Sequence, residues 1–214
     1  VVDRDERDLK AIVAAAREQF DVAHADREQA VRAARLTIQL SSRAIRAAHR
    51  GEMEEARNLA RQAGEEILPA SKLTRERREF FDSGLLHDAE KEYVEANLTI
   101  AALLNESIPS PDELGVGPAP YMNGLAEAAS ELRRSILDSL RGGDLETAER
   151  LLEFMDMVYS ELISLDYPDA VTRGLRRTTD QFRAVLERTR SDLTVAARQL
   201  ALEERLRQVA DSLE

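Results

Sequence analysis

Neither glycine nor proline occurs in the first fifty residues, and neither occurs again from Leu175 to Glu214. These two runs are rich in Ala, Leu, Glu and Arg, and no alternating β-branched segment competes with them, so both favour helix. Each is long enough for a helix of more than about 35 residues, the length range of long bundles and assembly scaffolds. Between the two runs the breakers fall in groups: Gly51, then Gly64 and Pro69, then Gly84. A cluster from Pro109 to Pro120 follows, then Gly124, Gly142-Gly143, and finally Pro168 with Gly174. The chain therefore reads as all-α, a single domain over 1–214 with about six or seven helices. Heptad regularity is poor, which favours a bundle over a simple coiled coil.

The interior segments carry helical stripes. After Gly84, apolar residues recur at Leu85, Leu86, Ala89, Tyr93, Ala96, Ile100, Leu103 and Leu104, forming one continuous face. A second stripe runs Tyr121, Leu125, Ala129, Leu132, Ile136, Leu140. Asp144, following the double glycine, is placed to cap a third helix striped by Leu145, Ala148, Leu152, Met155, Val158, Tyr159 and Leu162.

Composition removes several function classes. With no cysteine there is no disulfide scaffold, zinc finger, iron–sulfur site or thiol nucleophile. That absence, with an opening VVDRDERDLK that is neither a signal core nor a transit peptide, leads to the expectation of a cytoplasmic protein. No apolar run approaches the roughly 18 residues of a membrane span. The phosphate-cradling GxGxxG and GxxxxGK[ST] loops and the Gly-x-Ser-x-Gly elbow are missing. His24, His49 and His87 are scattered, none three residues after a glutamate, and read as surface or satisfied side chains. At 4% aromatic residues, a base-stacking platform is not expected. A net charge of −11 means that a nucleic-acid partner requires a local basic patch. Of 30 basic residues only Lys10, Lys72 and Lys91 are lysines; the rest are arginines, whose planar fork suits carboxylates and phosphates.

Carboxylates are the remaining chemical tools. In Lys91-Glu92-Tyr93-Val94-Glu95-Ala96, Glu92 falls inside the apolar stripe and Glu95 on its edge, and their i,i+3 spacing lets both reach one ion. A carboxylate on a packed face is costly unless paired, protonated or metal-bound. Glu127 and Glu131, at i,i+4, lie off the stripe of their helix, on what taken alone is a solvated face. Gly124, Ala128 and Ser135 flank Glu131, however, and such small residues let another helix or a ligand come close. Hydrolysis of a phosphodiester with divalent metal needs about three or four converging carboxylates, which these four can supply. The plain alternative is chance pairing among 41 acidic residues, with an inward glutamate salt-bridged to an arginine such as Arg75, Arg77 or Arg78.

The segment Glu92-Tyr93-Val94-Glu95-Ala96 resembles the Glu-Tyr-Val-Glu-Ala stretch of the translin/TRAX family, most closely its archaeal TRAX-like members. Gly124 to Leu132 is similar to the family's Gly-Val-Ala-Asp-x-x-x-Glu-Leu, and Asp138 to Asp144 to its Asn-Ser-Val-x-x-Gly-Asp turn. Leu40 to Arg50 resembles the N-terminal helix that ends in His-Arg. The resemblance spans roughly residues 30 to 200. It implies a bundle of about seven helices with long N- and C-terminal helices, assembling into hollow homo-octamers that bind RNA and single-stranded DNA. It further implies a Mg²⁺-dependent endoribonuclease, with Mn²⁺ as an alternative ion, whose metal-holding acids map onto Glu92, Glu95, Glu127 and Glu131. In the family stretch the third acid is aspartate; here Glu127 keeps the charge and adds a methylene. The face carrying Glu127 and Glu131 would then look onto a cavity of the assembly and there meet the helix bearing Glu92 and Glu95.

Arg43, Arg46 and Arg50 on the first long helix, and Arg75, Arg77 and Arg78 before the Glu92 helix, are the candidates for guiding RNA past the negative total charge. A surface ion pair is the simpler explanation for each one singly. The rival to the enzyme is a translin-like module that holds RNA or single-stranded DNA without cutting it; an acidic helical scaffold without nucleic acid is the third reading.

Overall fold

A computed structural model describes residues 2–77 and 84–212 of the chain; Arg78 lies outside them. All regular structure among the described residues is helical. Six long helices, α1 (Val2–His49), α2 (Met53–Glu76), α3 (His87–Leu103), α5 (Pro118–Gly142), α6 (Leu145–Leu162) and α8 (Leu175–Asp211), carry the fold, with single turns α4 (Pro111–Leu114) and α7 (Asp169–Thr172) between them. The terminal helices have 48 and 37 residues, as the breaker-free runs require. At 1.5 Å per residue, α1 is about 72 Å long.

Most of the breakers act where the sequence places them, but Gly64 and Pro69 lie inside α2 and Gly124 inside α5. Gly51 (φ +79°) turns α1 back into α2, its amide donating to the Ala48 carbonyl. Gly143 (φ +79°) ends α5, and Asp144 caps α6 by accepting from the Thr147 amide at 3.0 Å. Ser110 and Glu113 form a reciprocal capping box around α4, while Pro118 opens α5 at a position where a missing N–H costs nothing.

Two helix groups meet along one seam. The hairpin α1–α2 packs through alanines, Ala33, Ala44 and Ala48 on one helix and Ala56, Ala60 and Ala63 on the other, so the two backbones lie close. The second group, α5, α6 and α8, encloses Leu132, Ile136, Leu151, Met155, Phe182 and Leu186, with Tyr159 edge-on to Phe182 at 6.1 Å. Helix α3 sits between the groups, packed on α1, α2 and α5. Its buried set is wider than the single stripe of the sequence pattern: Val94, Leu98, Thr99, Ala101 and Ala102 are buried along with Ala89, Tyr93, Ala96 and Ile100. Arg150 of α6 donates to the Ala102 carbonyl (3.0 Å), covering the C-terminal end of this central helix.

The seam between α3 and α5 is unusually tight at Gly124. A Cβ there would lie 2.7 Å from Val94 Cβ and 2.8 Å from the Lys91 carbonyl oxygen, closer than real contacts allow. Glycine at this position sets the separation of the two helices. Gly124→Ala should therefore destabilise the protein by roughly 1–3 kcal/mol through forced separation of α3 and α5. Chemical denaturation followed by circular dichroism checks this, and unchanged stability would mean that the seam has slack.

Candidate active site

The close seam delivers the acids to one place. Glu92 and Glu95 project from α3 on one helical face, and Glu127 follows Gly124 by one turn of α5. One carboxylate oxygen from each of Glu92, Glu95 and Glu127 lies within 4.8 Å of the other two. Three hard anionic oxygens at that spacing fit a divalent cation such as Mg²⁺ or Mn²⁺, and the donor set contains no sulfur or imidazole to favour a softer metal. The convergence occurs within one chain, so the meeting of the two helices does not depend on an assembly.

Glu131 stands apart from this group of three. Its Oε1 accepts from His49 Nε2 at 2.7 Å, while His49 Nδ1 pairs with the Ser135 hydroxyl at 3.1 Å. The His49 side chain is 1% exposed and that of Glu131 34%, so the imidazole is a buried clamp on a carboxylate that still reaches solvent. Helix α1 thus holds an α5 carboxylate at the edge of the cluster. On sequence His49 reads as a surface or satisfied histidine; it is buried and satisfied, and its partner is one of the four candidate acids. The signal was its place in the His-Arg end of the first long helix. Ser135 is visible in the sequence only as a small residue beside Glu131.

Lys91 is the other side chain that spacing alone does not mark. Its ammonium donates to Glu127 Oε1 at 2.9 Å. Among the described residues, neither Glu92 nor Glu95 is in an ion pair or a side-chain hydrogen bond. Burial pushes the Glu92 carboxyl above the usual range, assisted by Glu127 and Asp88 against the opposing charge of Lys91. Glu95 is the extreme case: burial first, then the charges of Glu92, Glu127 and Glu131, push it up to about 8. Burial works against the charged Lys91, but its bond to Glu127 and the surrounding carboxylates outweigh that and raise its pKa.

The arginines distribute differently. Arg43 is exposed on α1; Arg46 donates to Ser42 Oγ (2.6 Å) and Arg50 to Glu52 (2.9 Å). Arg75 is turned onto backbone, donating to the Ser71 carbonyl at 3.1 Å and the Gly115 carbonyl at 3.3 Å, and Arg77 pairs with Asp26 of α1 at 2.8 Å. No described helix is long and apolar enough to cross a membrane.

An all-helical bundle with three carboxylates gathered between two central helices defines the class, and comparison with known proteins narrows it. No protein-family model matches the chain. The chain is 35% identical to C3PO from Archaeoglobus in its complex with duplex RNA, covering 86% of this chain and 96% of that one with a TM-score of 0.79. Archaeoglobus C3PO solved without that RNA gives 34% identity and a TM-score of 0.78 over the same shares. C3PO from Nanoarchaeum shares the fold at 22% identity and a TM-score of 0.72. An uncharacterized protein of Methanocaldococcus jannaschii is 35% identical over 127 residues, 59% of this chain and 57% of that protein's length. The chain belongs to the C3PO family of translin/TRAX-type proteins.

The raised Glu95 gives a signed pH dependence. The folded carboxyl keeps its proton at pH values where an unfolded glutamate has lost it, so the stability tied to Glu95 is full below about pH 4.5. It declines as pH rises toward about 8, by up to a few kcal/mol in all. Glu95→Gln, an isostere of the protonated form, should leave Tm nearly unchanged at pH 4.5 and raise it by several degrees above pH 8 in chelator. Thermal melts at the two pH values measure this; an equal effect at both would show that Glu95 ionises freely.

Proposed function

We propose that the protein is a metal-dependent endoribonuclease of the TRAX type that binds RNA, and that Glu92, Glu95 and Glu127 hold its divalent ion, Mg²⁺ or alternatively Mn²⁺. The observation that carries this reading is the convergence of three carboxylate oxygens within 4.8 Å, two of them without a cationic partner among the described residues. Bound there, the ion would supply an activated water and neutralise charge developing on the scissile phosphate. Glu92 and Glu95 present their oxygens from adjacent turns of α3, and Glu127 closes the set from α5. Glu131, held by His49 and open to solvent, would bind the ion as a further ligand or orient the attacking water. Ser135 fixes the imidazole in turn.

The duplex RNA held by Archaeoglobus C3PO supports RNA as the partner of this chain; single-stranded DNA follows only from the family resemblance. Arg43 and Arg46 on the last turns of α1, with Arg50 just past its end, flank His49, the residue bonded to Glu131, and are the preferred phosphate contacts. Arg75 and Arg77 are engaged within the fold and contribute less. The first turns of α1 expose Leu9, Ile12, Val13 and Phe20, and the end of α8 exposes Leu202, Leu206 and Val209. Apolar residues at helical spacing on free helix ends favour a homo-oligomer; eight subunits is the family's number.

The second reading, a binding module without catalysis, draws on the pairing of Glu127 with Lys91 and of Glu131 with His49, which leaves two of the four acids occupied. Labelled single-stranded RNA incubated with Mg²⁺ or with chelator separates the two. The nuclease cleaves only with metal, and Glu92→Ala lowers cleavage by roughly a hundredfold or more while RNA is still retained. Retention without cleavage selects the binding module. Affinity should also fall steeply with added salt, and a flat response would remove phosphate contact from both readings.

A further inference from the structure

Lys91 departs from the way this chain otherwise uses basic residues. Lys10 and Lys72 are 75% and 77% exposed and make i,i+4 pairs on helix surfaces, with Glu6 and Glu76. Lys91 is 19% exposed and bridges from α3 to α5, with its ammonium on one of the three clustered acids. A lysine there differs from an arginine in kind. The guanidinium makes a fixed two-point fork, whereas the ammonium is a compact single charge on a flexible stem that can leave one oxygen without disturbing the backbone. Its position also answers an electrostatic need: three carboxylates this close repel one another, and a half-buried cation offsets part of that repulsion.

We propose that Lys91 is a built-in counter-ion of the carboxylate cluster, holding Glu127 in the metal-free protein and giving that carboxylate up when a divalent cation enters. The proposal rests on the metal-site reading above and specifies how the site is regulated. The ammonium and the cation compete for the same oxygen, Glu127 Oε1. Lys91 therefore makes the empty site more stable and divalent binding weaker than the acids alone would give. Because the competition is between charges, the cost falls on any divalent ion.

The test is binding of Mn²⁺ to the full chain, read by the electron paramagnetic resonance of free Mn²⁺, for the unaltered protein and for Lys91→Gln. The expected result is Mn²⁺ binding roughly tenfold tighter in Lys91→Gln, together with a lower Tm in chelator that Mn²⁺ restores. Saturable binding that Lys91→Gln leaves unchanged or weakens overturns the counter-ion role while leaving the metal site standing. No saturable binding in either protein overturns the metal reading, and the counter-ion role with it. Should Lys91→Gln fail to fold, the three lysines permit a measurement on the unaltered chain. With lysine labelled at ¹³Cε, Mg²⁺ should move and sharpen the Lys91 signal saturably and leave those of Lys10 and Lys72 in place. A Lys91 signal that stays fixed while Mg²⁺ binds overturns the proposal.

Discussion

The approach of α3 to α5 at Gly124 is the constraint on which the rest of the arrangement turns. Helices packed through ordinary side chains lie roughly 8–10 Å apart, and their flanking residues diverge from the contact. Removing the side chain at one crossing point lets the α5 backbone settle against Val94 and the Lys91 carbonyl. Glu127, one turn further along α5, is thereby brought beside Glu92 and Glu95. The same residue that tightens the bundle thus concentrates negative charge at its seam, and packing energy works against electrostatic repulsion.

How that repulsion is met differs between the two helices. On α5 both cluster acids have a cationic or donor partner from a different element, Lys91 of α3 for Glu127 and His49 of α1 for Glu131. On α3, Glu92 and Glu95 have none among the described residues, and burial, together with the neighbouring carboxylates, raises their pKa values. A cluster in which every acid was paired would be a structural salt-bridge network. One in which none was would separate the helices. Half-compensation fits a site that holds together without a metal and, on the proposed reading, gains from one.

Much of this was legible in the sequence because it depends on local patterns. Breaker-free runs delimit α1 and α8, Asp144 announces the cap of α6, and most stripe residues of α5 and α6 are buried, though Leu140, Leu145 and Tyr159 are only partly so. The i,i+3 spacing of Glu92 and Glu95 fixes their shared face whatever the tertiary structure. The partners were not legible, since they are tertiary facts. His49 and Glu131 are 82 residues apart, and Lys91 reaches Glu127 across 36. Helical periodicity also underestimates α3, because a helix packed on several sides buries residues outside any one-sided stripe. Conversely, Glu127 and Glu131 look solvated on their own helix; the small residues Gly124, Ala128 and Ser135 mark room for a close approach but not that α3 and α1 supply the partners.

The dependence of the site on three helices has a consequence for how it responds to the rest of the molecule. Glu131 is oriented by the end of α1, and that end is set by the alanine-rich packing of α1 on α2 and by the turn at Gly51. The opposite end of the same helix carries exposed Leu9, Ile12 and Phe20, so a partner docked there would act on a continuous helix that runs to His49. An α-helix transmits a shift along its axis with little loss, because each backbone hydrogen bond ties successive turns together. Helix α1 also packs on α3, but among the described residues its direct bond to the four acids is that of His49 to Glu131. Of the four acids, Glu131 is therefore the one that a displacement of α1 would reach by a direct bond, outside the three that converge.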